Sequence, residues 1–234
     1  MGNLLVLPLS SPSLYAEAST LARGRAGVPG GSFLASTAIH QERLSYGGSM
    51  TTIALVRHGE TDWNLRRRLQ GRADIPLNET GIEQARVLSG SFAREDWSFV
   101  LSSPLSRASA TALEISKGAD IPFAGTVDDL IERSFGQADG ATAEDIAAKW
   151  ADRIFPDAEP VEDVQRRGAA VVDELVDQYE GNLILVSHGA FIRATVFALT
   201  GEDIGGIANA TMVLLSRTDA GSWESVPAVV TVAG

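Results

Sequence analysis

Two apolar runs in this chain end on the same chemistry. "IALVRHG" (Ile53 to Gly59) and "LILVSHG" (Leu183 to Gly189) each carry four consecutive apolar residues, then a polar one, then a histidine beside a glycine. A strand with no polar face cannot sit on a surface. It belongs in a largely parallel sheet covered on both sides by helices. Parallel strands need long crossover connections, and these are usually helical. The chain therefore reads as α/β, a three-layer α/β/α arrangement around a mostly parallel, mixed sheet.

The intervening segments fit that reading. "TGIEQARVLSGSF" spaces Ile82, Ala85, Leu88 and Phe92 as a helix would, with Thr80 as the expected N-cap. "SFVLSS" (Ser98 to Ser103) reads as a second strand. In the helix after it, Ser103 is expected to cap, Pro104 to take the first helical position and Gly118 to close. "ATAEDIAAKW" is a helix with Thr142 and Asp145 at capping-box spacing. From Val161 to Gly181 the chain gives its strongest helix, with Val161, Val164, Gly168, Val171, Leu175 and Tyr179 on one face. "AFIRATVFALTG" is a further helix and "TMVLLSR" a late strand, while "VPAVVTVAG" suits an edge strand or an interface.

Residues 1–49 read differently. They mix Ser, Gly, Ala and Pro without periodicity, and Met50 stands directly before the first strand. The expectation is a disordered extension, or a start assigned upstream of a true initiator at Met50, followed by one domain over 50–234. A secretory signal fits poorly, because "LLVLPL" is short and broken by Pro8 with no preceding Lys or Arg. A transit peptide is opposed by Glu17 and Glu42, and position 6 is Val where myristoylation needs Ser or Thr. The formal net charge of −11 repels a phosphate backbone, so no nucleic-acid partner is expected. No stretch approaches ~20 apolar residues, so no membrane span is expected either. The chain has no cysteine, which removes disulfides, thiolate nucleophiles and thiolate metal sites. A cytoplasmic enzyme is the expectation.

In an open α/β sheet, ligands bind beyond the carboxyl ends of the strands. The first strand delivers Arg57 and His58 there. The second leads to Ser102, Ser103 and, in the next helix's first turn, Arg107. The third delivers Ser187 and His188. If these strands are neighbours, their side chains converge on one crevice, and Gly59 and Gly189 let the backbone come close to a ligand. Guanidinium forks match phosphate oxygens, and a neutral imidazole is a competent nucleophile towards phosphorus. Glu132, in the loop-like "DDLIERSFGQADG", could supply the proton for a leaving oxygen. Asp128, Asp129 and Asp139 are nearby alternatives. Thr61 and Ser187 could donate to phosphate or merely cap turns, and Trp63 reads as packing. No pair of histidines has metal-ligand spacing, so no metal is expected.

These motifs together, "RHGET.WN", "QG", "D.PLNETG..QA", "SSPLSRA..TA", "E..FG...G" and "VSHG", resemble the histidine phosphatase superfamily, in the branch containing cofactor-dependent phosphoglycerate mutases. The resemblance runs from about Thr52 to about Thr200. It implies a phosphoglycerate mutase-like fold with about six strands and no metal or other cofactor. His58 would be the nucleophile that forms a phosphohistidine, Arg57, Arg107 and His188 would hold the phosphoryl group, and Glu132 would be the proton donor. Asn64 would contribute to the phosphate pocket, Gln70 and Gly71 would line its entrance, and Gly189 would adjoin it. The expected substrate is a small phosphorylated metabolite.

The expected activity is phosphomonoester hydrolysis. Phosphoglycerate mutase is the alternative, disfavoured because only 55 residues separate Glu132 from His188, too few for the mutases' closing insertion. An inactive phospho-ligand binding module is a second alternative. Specificity is expected from Arg66 to Arg68, from Gln137 to Ala143 and from the loop near Asp152 to Pro160. Oligomeric state is not legible, and a homodimer stays open.

Overall fold

In the computed structural model of the chain, the structure describes residues 51–93 and 96–231, with backbone alone for 227–231. The expectations about residues 1–49 lie outside the described residues. Six strands form one sheet in the order β3-β2-β4-β1-β5-β6. They are β1 (Thr52–Arg57), β2 (Trp97–Ser102), β3 (Phe123–Thr126), β4 (Asn182–Ser187), β5 (Thr211–Arg217) and β6 (Trp223–Thr231). β1, β2, β3 and β4 run parallel, and β5 is antiparallel to both β1 and β6. The sheet is mixed and mostly parallel, as the apolar strand pattern requires.

Alternating residues of the central strands feed two cores. Ile53, Leu55, Leu183 and Leu185 pack with Val164, Val171, Val172 and Leu175 of α5 (Val161–Gln178) and Phe191, Ile192 and Val196 of α6 (Gly189–Thr200). On the other face, Ala54, Val56, Ile184 and Val186 meet Leu88 of α2 (Glu79–Ser89) and Ala108, Ala112 and Ile115 of α3 (Ser106–Ala119). A side-chain period of two puts neighbouring apolar residues into opposite cores, which is why these strands are apolar throughout. Two short helices, α1 (Asp62–Leu65) and α4 (Ala143–Lys149), flank the carboxyl edge of the sheet.

Several local expectations need correction. Asn78, not Thr80, caps α2, and its side chain accepts from Gly81 N at 2.8 Å. α3 begins at Ser106 with no side-chain cap. Ser103 and Pro104 precede it, Gly118 lies inside it, and Asp120 closes it in the left-handed region. α5 ends at Gln178, Tyr179 follows as its C-cap, and Val161 is 39% exposed instead of buried. The Thr142–Asp145 capping box forms as expected on α4. β3 is a strand the periodicity did not reveal. Of the carboxyl-terminal segment, residues 226–231 fall within β6, on the edge of the sheet, and 232–234 lie outside the described residues.

Candidate active site

β1 and β4 are hydrogen-bonded neighbours with Arg57 opposite Ser187. The pairing continues one step further, with His58 N donating to Ser187 O at 3.0 Å. The two strand-end histidines therefore leave the sheet side by side, their ring centroids 5.2 Å apart. Gly59 makes this possible on the β1 side: a Cβ there would overlap the backbone carbonyl of Gly81.

His58 is 3% exposed. Its Nδ1 lies 2.7 Å from Gly59 O. A carbonyl only accepts, so Nδ1 carries the hydrogen and Nε2 keeps its lone pair. Arg107 Nε donates to that Nε2 at 3.2 Å. Burial, followed by the charges of Arg107 and Arg57, holds the imidazole well below its ordinary 6.5. At neutral pH the ring is uncharged, with its basic nitrogen aimed at a guanidinium.

Arg107 is fully buried in the first turn of α3. Besides His58 it binds Ala73 O through Nη1 at 2.7 Å and Gly71 O through Nη2 at 2.9 Å. Burial lowers its pKa to about 10, so it stays a cation at neutral pH. The same guanidinium thus touches the strand-end histidine and fixes the strap of residues 70–73. Gly71 sits in the left-handed region at φ 49, and a Cβ there would overlap the Asp139 carboxylate.

Arg57 donates through Nη1 to Ile207 O, while its Nε is buried without a partner among the described residues. The Cβ that Gly189 lacks would stand 3.4 Å from that Nε, so Gly189 leaves room for the guanidinium. His188 is fully buried behind His58. Its Nε2 lies 2.8 Å from Ser103 Oγ, and its Nδ1 has no partner among the described residues. Burial, then His58 and the arginines, lowers the His188 pKa well below 6.5.

Glu132 follows a one-turn 3-10 segment, Asp128–Leu130. That segment is tied to the sheet: Val127 N donates to Ser102 O at 2.8 Å and Ser187 Oγ to Leu130 O at 2.7 Å. Ser187 thus anchors the loop bearing Glu132. The Glu132 carboxylate sits at the N-terminus of α6, accepting from Phe191 N at 2.9 Å, Ala190 N at 3.2 Å and Arg133 N at 2.8 Å. Ala190 N and Phe191 N are free first-turn donors of α6, Arg133 N belongs to the loop, and all three favour the carboxylate. Burial outweighs them and raises the Glu132 pKa above 4.5.

Asn64 is held by two neighbours. In the Thr61–Asn64 capping box, Thr61 N donates to Asn64 Oδ1 at 3.2 Å, and Asn209 Nδ2 donates to the same oxygen at 3.1 Å. Thr61 is therefore a cap. Asn209 also reaches His58 O at 3.0 Å and Gly59 O at 3.2 Å, and sequence reasoning missed it. It lies in an irregular stretch before β5, with no motif to mark it. Trp63 packs on Gly140, as expected.

These residues surround a cavity of about 690 Å³. Arg57, His58, Asn64, Gln70, Gly71 and Arg107 line it, joined by Glu132 and Gly189; His188 stands behind the wall. Further out the wall is apolar, with Phe135, Ile146, Phe155, Val161 and Phe197, and Arg68 and Arg153 are also among its lining residues. Among the described residues, no group of three His, Asp or Glu side chains is placed to hold a metal ion. No described helix is long and apolar enough to cross a membrane.

The sequence model of the histidine phosphatase superfamily (branch 1) matches residues 53–231. A relative named an uncharacterized phosphatase, PhoE of Bacillus subtilis (strain 168), is 38% identical over 156 residues, 66% of this chain and 80% of its own. The metal-independent phosphoserine phosphatase of Arabidopsis thaliana is 30% identical over 204 residues, 79% of this chain and 86% of its own. Among solved structures, a mycobacterial glucosyl-3-phosphoglycerate phosphatase in complex with VO3 superposes with a TM-score of 0.69 at 27% identity, covering 75% of this chain and 97% of that one. With a matched family over most of its length, a phosphoglycerate mutase-like fold and phosphatase relatives, the chain belongs to the histidine phosphatase superfamily, branch 1, as an enzyme of the phosphatase class.

Proposed function

We propose that the chain hydrolyses phosphomonoesters through a phosphohistidine at His58. The observation that carries this reading is the His58 ring, whose Nδ1 is bonded to Gly59 O and whose Nε2 accepts from Arg107 in the wall of the cavity. In the first step Nε2 attacks phosphorus and the ester P–O bond breaks. Glu132 gives its proton to the departing oxygen, and burial favours its holding that proton. Arg57 and Arg107 take the equatorial phosphoryl charge, and Asn64 lies at the same pocket. His188 assists from behind: with Ser103 donating to its Nε2, its Nδ1 carries a hydrogen free for a phosphoryl oxygen. In the second step water attacks the phosphohistidine, Glu132 takes the water's proton, and Nε2 regains its lone pair. No step calls for a metal.

The substrate is a small phosphorylated metabolite, and the outer wall suggests which kind. Apolar side chains beyond the anion pocket favour an organic part larger and less polar than serine. Arg68 and Arg153 offer cations for a second charged group. The enzyme is read as cytoplasmic, which fractionation of cells expressing all 234 residues would test.

The deciding experiment is turnover of 4-nitrophenyl phosphate and of a phosphometabolite panel by wild type and His58→Asn. Hydrolysis by the wild type and none by the variant supports the proposal. Phosphate binding without turnover would mark a binding module instead. With 3-phosphoglycerate and a trace of its bisphosphate, free phosphate is expected; isomerisation would mark a mutase.

A further inference from the structure

Glu159 lies outside the cavity, in the connection before α5, yet it gathers the residues that surround Glu132. Its side chain is 15% exposed. Oε1 accepts from Arg167 Nε at 2.9 Å, and Oε2 accepts from Arg167 Nη2 at 3.1 Å and from Arg72 Nη2 at 3.2 Å. Its backbone is engaged as well: Glu159 N donates to Ser134 O at 2.9 Å, and Glu159 O accepts from Arg133 Nε at 2.8 Å.

Each partner then bears on the loop that carries Glu132, or on its donor, from a different side. Arg72 Nε donates to Glu132 O at 3.2 Å, and Arg72 follows Gly71, whose carbonyl Arg107 holds. Arg167 stacks on the Phe191 ring at 5.0 Å, and Phe191 N donates to Glu132 Oε1. Arg167 Nη1 also binds Asp129 O at 2.7 Å, three residues before Glu132. Arg133 and Ser134 are the two residues after it.

We propose that Glu159 is a positioning residue for Glu132: by pairing with Arg167 and Arg72 at once, it fixes the loop from Asp129 to Ser134 against α6 and aims the carboxyl at the leaving oxygen. The inference rests on the proposed role of Glu132 as proton donor. A bidentate pair that is mostly buried holds one geometry, and geometry decides whether a proton donor reaches its oxygen.

A proton donor matters for a poor leaving group and little for a good one. That contrast separates positioning from general destabilisation. Glu159→Gln, Glu132→Gln and the double variant are assayed on phenyl phosphate, a poor leaving group, and on 4-nitrophenyl phosphate, a good one. Glu132→Gln should lose on the order of 100-fold or more in kcat/KM, which reports the first step alone, on phenyl phosphate and far less on 4-nitrophenyl phosphate. Glu159→Gln should show the same contrast at about 10-fold, with KM little changed. Glu159→Asp, which keeps the charge, should recover part of the loss. The double variant should match Glu132→Gln alone, because both act through one proton.

Equal loss on both substrates for Glu159→Gln, or an additive double variant, would overturn the positioning role while leaving Glu132 intact. No leaving-group contrast for Glu132→Gln itself would overturn the role of Glu132, and this inference with it. If Glu159→Gln does not fold, Arg167→Gln breaks the bidentate Glu159–Arg167 pair from the helix side, leaving Arg72 in place, and is read by the same criteria.

Discussion

Two buried neutral histidines make the fold acid-sensitive, and the size of the effect follows from their titration. His58 and His188 are 3% and 0% exposed, and burial, reinforced by neighbouring cations, holds both well below 6.5. In the unfolded chain each titrates near 6.5. Between that value and the folded one, the unfolded chain binds a proton that the folded chain refuses. Unfolding then takes up protons, so stability falls as pH falls. This contribution is fully present above about 6.5 and is lost progressively below it, at up to about 1.4 kcal/mol per pH unit per histidine. Glu132 and Asp139 work in the opposite sense. Burial raises both, so the folded chain holds their protons where the unfolded chain has released them, and stability falls as pH rises through that window. Comparison with a single variant isolates the histidine share. His188→Gln removes the titration and keeps a polar group near Ser103 Oγ, the partner of Nε2. Urea unfolding between about pH 7.5 and about pH 5.5 should show a shallower slope for the variant, by up to about 1.4 kcal/mol per pH unit. The absolute stabilities will differ too, but the slope carries the test. Identical slopes would mean that His188 binds protons equally in the folded and unfolded states, and a steeper slope for the variant would mean that it is charged in the folded state; either result would refute the uncharged imidazole pair.

Three further outcomes follow from the site. Arg107→Lys should lower kcat/KM by about 10²–10³-fold and also the melting temperature, since one ammonium cannot span Gly71 O, Ala73 O and His58 Nε2; steady-state kinetics and thermal melts read both. Gly71→Ala should destabilise by about 1–3 kcal/mol and weaken activity, because a left-handed backbone must take a Cβ that overlaps Asp139; denaturant melts give the cost. Ser103→Ala should cost about 1–2 kcal/mol of transition-state stabilisation with a nearly normal fold, seen as a fall in kcat/KM, by leaving His188 Nε2 without its partner.

The apolar strands were readable because burial on both faces leaves a continuous signature. Residues 53–56 and 183–186 show it, and from them followed the parallel pairing and the meeting of His58 with His188. Arg107 was placed through its motif, and in the structure it is buried with its Nε donating to His58 Nε2. The helix starts were less legible. Asn78 and Thr80 are both acceptable caps, and only the chain's path between Glu60 and α2 selects Asn78, whose Nδ2 donates to Glu60 Oε1 at 2.9 Å. Ser103 looked like a cap but faces His188 instead, a choice made by tertiary contact. β3, "FAGT", carries a glycine at φ 119 and shows no alternation of apolar residues, so it forms only because β2 offers an edge. Asn209 and Glu159 were invisible for the same reason: each acts through partners at least eight positions away, or more than a hundred, and no local pattern marks either.

The most direct measurement is to trap the intermediate. Wild-type enzyme mixed rapidly with a labelled phosphomonoester and quenched in base should carry one acid-labile, base-stable phosphoryl group, which peptide mass spectrometry places on His58. His58→Asn should carry none. A wild type that turns over substrate with no label on protein at any quench time, or with label on another residue, would contradict the account.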